Sequence, residues 1–184
     1  MSKNNREVAA GISRSLGLIF WNLGRYKALE YHKRSLAINE ELNDRVGLAN
    51  DYSNIGNVLR NMGKYQEALD SHNKALKIHE ELNNRVGLAG DYNNIGLVLD
   101  DMGRLQEALD SHNKALRIHE ELNDRVGLAR NYYNISFVLS KTNKDEALNS
   151  LYNALTILQE FERENNYRHP LMDKVNNRLS NLKG

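Results

Sequence analysis

The chain has 184 residues, no cysteine, and a formal net charge of +1 from 25 Lys and Arg against 24 Asp and Glu. That balance gives no global pull toward nucleic acid or an anionic membrane. The lack of cysteine excludes disulfides and thiolate metal sites. It also fits a reducing compartment, so a cytoplasmic location is expected. The N-terminal MSKNNREVAA has no apolar signal core, and no apolar run reaches membrane-spanning length. Pro170 is the one proline, which leaves everything before it free to be helical.

Taken in chain order, the sequence divides into four similar units at residues 6–43, 44–83, 84–123 and 124–164, with the solenoid they form spanning 6–164. The two central copies, Asn43 to Leu82 and Asn83 to Leu122, are identical at 31 of 40 aligned positions. A period of this length marks a repeat architecture. Each unit predicts two helices. In the second, Val46, Tyr52, Ile55, Val58, Leu59 and Met62 form one apolar stripe at helical steps. Gly63 suits a left-handed helix end. Tyr65, Ala68, Leu69, His72, Ala75, Leu76, Ile78, His79 and Leu82 form the second stripe, and Asn83-Asn84 supplies a stop and an N-cap. Asp70 with Lys74, and Asp110 with Lys114, are expected as i,i+4 ion pairs on exposed faces. Small residues at Gly56 and Ala68 let the two helices approach. After the polar stretch Phe161 to His169, Pro170 opens a last helix over 170–182. Its Leu171, Val175, Leu179 and Leu182 predict a cap on the final repeat.

The pattern Tyr52, Ile55-Gly56, Leu59, Gly63, Tyr65, Ala68, Ala75 recurs four times and resembles the tetratricopeptide repeat. The period of 40 and the histidines at His32, His72 and His112, where that repeat has an aromatic, depart from the usual form. In its length the unit is similar to the repeats of kinesin light chain and of the Leu-Gly-Asn repeat protein that orients mitotic spindles. The resemblance implies an all-α, right-handed α-solenoid of four helix-turn-helix repeats plus a C-terminal capping helix. It also implies a non-catalytic role, with a protein or peptide ligand in a concave groove lined by the first helices.

The two central copies differ at nine positions, and five of them, at 50, 53, 57, 60 and 61, share one face of the first helix. Solvated positions such as Asp70, Asn73 and Glu80 are unchanged, so the differences point to that face as the one diversified for binding. Within it, Asn54, Asn94 and Asn134 recur once per repeat. An asparagine amide donates and accepts at once, so such a row suits the backbone of an extended peptide. The candidate specificity residues around it are Ser53, Asn57, Arg60, Asn93, Leu97, Asp100, Asp101, Arg130, Tyr133, Phe137 and Lys141. Aromatic and Arg residues of this kind are typical hot spots. The lysine of the family's carboxylate clamp is absent, its place taken by Ser53, Asn93 and Tyr133.

No catalytic, cofactor or metal site is expected. His79-Glu80-Glu81-Leu82-Asn83 begins like a zinc-protease motif but lacks the second histidine. His72 and His112 are expected as hydrogen-bonded, half-buried packing residues. Nucleic-acid binding would need a basic stripe that is missing. The alternatives to a peptide-binding scaffold are a self-associating module and a regulatory or sensor protein acting on a signalling partner in trans. Self-association would give a homodimer through the apolar Leu16 to Trp21 segment of the first repeat, with Leu18 and Trp21 on its face.

Overall fold

The structure is a computed structural model that describes residues 3–20 and 24–184. The described residues form helices and turns, with no strand among them. The helices are α1 (Lys3–Phe20), α2 (Arg25–Leu42), α3 (Arg45–Asn61), α4 (Tyr65–Glu81), α5 (Arg85–Asp101), α6 (Leu105–Glu121), α7 (Arg125–Leu139), α8 (Lys144–Asn165) and α9 (Leu171–Lys183).

The repeated linker explains the repeated geometry. Asn43, Asn83 and Asn123 end their helices at φ of 53°, 51° and 53°, a left-handed conformation that asparagine tolerates. The next residue then caps the following helix. The side chains of Asp44, Asn84 and Asp124 accept from the backbone N–H of Gly47, Gly87 and Gly127 at 2.9, 3.0 and 2.9 Å. Within the second and third repeats, Gly63 and Gly103 turn the chain at φ of 74°. An exposed Arg–Glu pair ties the two outer ends of each hairpin together: Arg6–Glu41, Arg45–Glu81, Arg85–Glu121 and Arg125–Glu164.

Each odd-numbered helix up to α7 packs against the even-numbered helix after it, and each even-numbered helix packs against the next hairpin. Neither hairpin face is buried alone, so the core runs the length of a helical solenoid. Contacts also join α3 to α5 and α5 to α7. The first helices therefore lie on the inside of the curve. At the C-terminal end α9 packs on α8, where Leu171, Met172, Val175 and Leu179 close a cluster with Ala129, Leu151, Ala154 and Leu158.

Inside each of the first three hairpins a histidine ring lies flat on a glycine of the facing helix. A Cβ placed on Gly56 would meet the His72 ring at 2.6 Å, and one on Gly17 or Gly96 would meet His32 or His112 at 2.5 or 2.7 Å. The expectation of half-buried, hydrogen-bonded histidines is corrected here. His32, His72 and His112 are 1%, 0% and 0% exposed, and neither ring nitrogen of His72 or His112 has a hydrogen-bond partner. Burial pushes both imidazoles down to about 4. The nearby Arg60 adds to the shift at His72; at His112 Asp100 opposes burial and Arg60 reinforces it. Both rings are thus neutral at pH 7.

Two further expectations change. Val46 is 50% exposed, and the buried stripe instead runs through Leu48, Ala49, Ile55, Val58 and Leu59. Asp70 and Asp110 accept from Gln66 and Gln106, while Lys74 and Lys114 sit over the rings of Tyr52 and Tyr92 at 5.3 and 5.2 Å. The aromatic face offers the lysine stem apolar cover as well as an electrostatic partner, which the expected aspartate does not.

Candidate functional site

The inner face is built by α3, α5 and α7, with α9 closing its C-terminal end. Its residues fall into three groups according to what they touch.

The first group is paired across repeats. Arg60 Nε donates to Asp101 Oδ2 at 2.6 Å, and Lys141 Nζ donates to Asp100 Oδ1 at 2.7 Å. Asn134 Nδ2 donates to Asn93 Oδ1 at 2.8 Å. Ser53 Oγ donates to Asp91 Oδ1 at 2.7 Å. Three of the nine positions that differ between the central copies, 53/93, 60/100 and 61/101, belong to this group. Their partners lie one repeat onward, so the variation is complementary between neighbours: a cation on α3 faces an anion on α5, and an anion on α5 faces a cation beyond α7.

The second group has no such partner. The side chains of Asn54 and Asn94 are half-buried on the inner face and make no hydrogen bond within the described chain. Asn57 and Leu97, one turn along, are also half-buried. Of the three recurring asparagines, therefore, only Asn134 is engaged by a neighbour.

The third group forms the C-terminal end. Tyr133 and Phe137 on α7 stack edge to face at 5.1 Å. Arg178 from α9 lies over the Phe137 ring at 3.4 Å. Its guanidinium donates to Ser136 Oγ at 3.3 Å and Ser140 Oγ at 3.0 Å. Burial lowers its pKa, opposed by Tyr133 and Asp100. Arg130 is exposed on α7 and has no ion-pair partner among the described residues. Leu18 and Trp21 are another matter: the Leu18 side chain and all of Trp21 lie outside the described residues.

Behind the inner face runs a buried polar seam between repeats. Asp51, Asp91 and Asn131 occupy one position of α3, α5 and α7 and are 0%, 1% and 1% exposed. Asn39 donates to Asp51 at 2.6 Å, and Arg14 pairs with the same carboxylate at 3.2 Å. His79 Nδ1 lies 2.6 Å from Asp91 Oδ2. Burial raises the Asp91 carboxyl, while its bonds to His79 and Ser53 lower it. In the fourth repeat the position is neutral, and Asn131 donates to the His112 carbonyl at 3.3 Å. Ser53, Asp91 and His79 do not form a nucleophilic triad. The aspartate lies between the other two, whereas a base must lie between nucleophile and acid.

Sequence reasoning passed over the seam and Arg178. The seam was readable: Asp51 falls between Leu48 and Ile55 on the apolar stripe, and the next copy repeats it at Asp91. Arg178 lies in the non-repeated tail, where no periodicity points to it. Among the described residues no group of three His, Asp or Glu side chains is placed to hold a metal ion. No described helix is long and apolar enough to cross a membrane.

A tetratricopeptide-repeat family model matches residues 8–81 and 91–160. No curated protein matches the chain. Among solved structures, a Rap protein complexed with Competence and Sporulation Factor is similar at a TM-score of 0.80 and 17% identity, over 95% of this chain and 48% of that one. BtubC (BKLC) from P. vanneervenii gives 0.77 and 18%, over 98% and 81%. The apo form of RapI gives 0.75 and 22%, over 84% and 57%. At these identities the likeness shows the fold, and the chain spans about half the length of the two Rap structures.

Proposed function

The chain belongs to the tetratricopeptide repeat family, and we propose that it is a non-catalytic protein-interaction module whose inner face holds an extended peptide or a partner helix. The observation that carries the proposal is the pair Asn54 and Asn94. They are half-buried on adjacent first helices, one repeat apart, with no hydrogen-bond partner within the chain. Both amides are free of any bond within the chain without being sealed from solvent, so a ligand backbone can offer each one an acceptor and a donor. Leu97 and Asn57 beside them supply contact area. That a Rap protein of this fold is complexed with a factor supports the same use of the fold. Asn134, tied to Asn93, would join the row only by exchanging that bond for one to the ligand.

The test is nuclear magnetic resonance of the full chain during titration with peptides selected from an array. The Asn54 and Asn94 side-chain amides should shift, and a folded Asn54→Ala/Asn94→Ala variant should bind the same peptides about tenfold or more weakly. Unshifted amides together with unchanged affinity would overturn the proposal.

A second reading, self-association, is favoured by Val8 and Ile12, each 55% exposed one turn apart on α1. Light scattering across a dilution series tests it: a mass that stays monomeric at every concentration removes it.

A further inference from the structure

The charges of the inner face largely cancel. Arg60 is paired with Asp101 and Lys141 with Asp100. What is left over is concentrated at one end. Arg130 has no ion-pair partner among the described residues. The Arg178 guanidinium is half-buried, yet its direct partners, Ser136, Ser140 and the Phe137 ring, are all neutral, and its Nη1 donates to no described residue. Lys174, exposed one turn earlier on α9, is likewise unpaired. Asp100, the carboxylate whose charge acts on Arg178, is already bonded to Lys141. Asp145 and Glu146 lie in the first turn of α8, where the helix dipole accommodates them. A partly desolvated cation whose direct contacts are all neutral is a good anion site.

We propose that this end of the inner face takes an acidic segment of the bound chain, with carboxylate side chains on Arg178 and Arg130 and an apolar side chain on the Tyr133–Phe137 platform. The proposal rests on the groove reading above and gives it a ligand class. Acidic side chains, rather than a chain terminus, are the source, because one terminal carboxylate would leave one of the two guanidinium charges unanswered. Arg178 enters as a specificity residue supplied by the cap, so α9 both seals the core and completes the site.

The experiment is fluorescence anisotropy on the full chain with three labelled Gly-Ser peptides. One carries a Glu-Leu-Glu core and an amidated C-terminus, one a Gln-Leu-Gln core and an amidated C-terminus, and one a Gln-Leu-Gln core with a free C-terminus. The acidic peptide should bind at least about tenfold more tightly than either neutral one, and lose most of that advantage in high salt. Arg130→Gln, a surface change with no partner to lose, should weaken the acidic peptide about tenfold and leave the neutral ones unmoved. Arg178→Gln should do the same, with circular dichroism checking that α9 stays docked.

The proposal falls if the acidic peptide does not bind, if the two amidated peptides bind alike, or if neither arginine variant changes the acidic peptide. It also falls if the free-carboxylate peptide matches the acidic one, since a terminus is then what is read. Neutral peptides that still bind and still depend on Asn54 and Asn94 would leave the groove reading standing. An acidic peptide that depends on Arg130 but not on the asparagines would keep this inference and count against the asparagine grip.

Discussion

The second and fourth repeats bring the same backbone together with opposite chemistry. In the second, the hairpin closes on Gly56 and His72, and the seam to the next repeat runs through His79 and Asp91, all buried. In the fourth, the positions of Gly56, His72 and His79 hold Ser136, Leu151 and Leu158, and the next element, α9, meets them with Leu171 and Val175. Helix direction and spacing survive the exchange, because an α-solenoid needs volume and shape at these points rather than polarity. The polar version carries liabilities that the apolar one lacks: neutral imidazoles without partners, and a carboxylate that depends on its neighbours.

Acid should expose that difference most. Between pH 6.5 and about 4 the unfolded chain binds a proton on His72 and on His112 that the folded chain refuses. Unfolding is therefore favoured as pH falls through that window, and the stability is fully present above it. The loss should approach roughly 3 kcal/mol per histidine, since each pKa unit is worth about 1.4 kcal/mol. Urea titrations at pH 7.5 and 4.5 measure it. Replacing both residues by the fourth repeat's solution, His72→Leu and His112→Leu, should flatten the pH dependence. A double variant just as acid-sensitive as the parent would break the comparison.

Asp91→Ala comes next. It leaves His79 and Ser53 facing a void in a buried seam and should cost about 3 kcal/mol by urea denaturation. Asn131→Ala, at the equivalent neutral position, should cost about 1 kcal/mol, the worth of one uncharged hydrogen bond. Equal costs would mean that the carboxylate adds nothing. An effect smaller than that of Asp91→Ala is expected at the hairpin contact. Gly56→Ala gains about 1 kcal/mol of helix propensity but drives a methyl into the His72 ring, a net loss of about 1–2 kcal/mol in thermal melts. Adding His72→Ala should return part of that loss, because the ring is what the methyl strikes.

Much of the architecture was legible in the chain. The 40-residue period, the Asn-Asp and Asn-Asn caps, Gly63 and the capping helix after Pro170 are local signals, set by backbone conformation and nearest-neighbour hydrogen bonds. The candidate site was legible in outline only. Asn54, Asn94 and the diversified face were visible as positions, but the pairing of Arg60 with Asp101 and of Asp100 with Lys141 was not. Those side chains lie 41 residues apart, and they meet only because the solenoid curves and brings the first helices close. The same holds for the lysines expected to pair with Asp70 and Asp110, which instead found tyrosines on the facing helix.

The sequence by itself thus determined the repeat, its helices and their ends, because those follow from interactions within a few residues of chain. Only the tertiary structure decided which inner-face groups are spent on each other and which are left over. Asn54, Asn94, Arg130 and Arg178 stand apart for that reason: partners are a property of packing distance, and no position along the chain carries it.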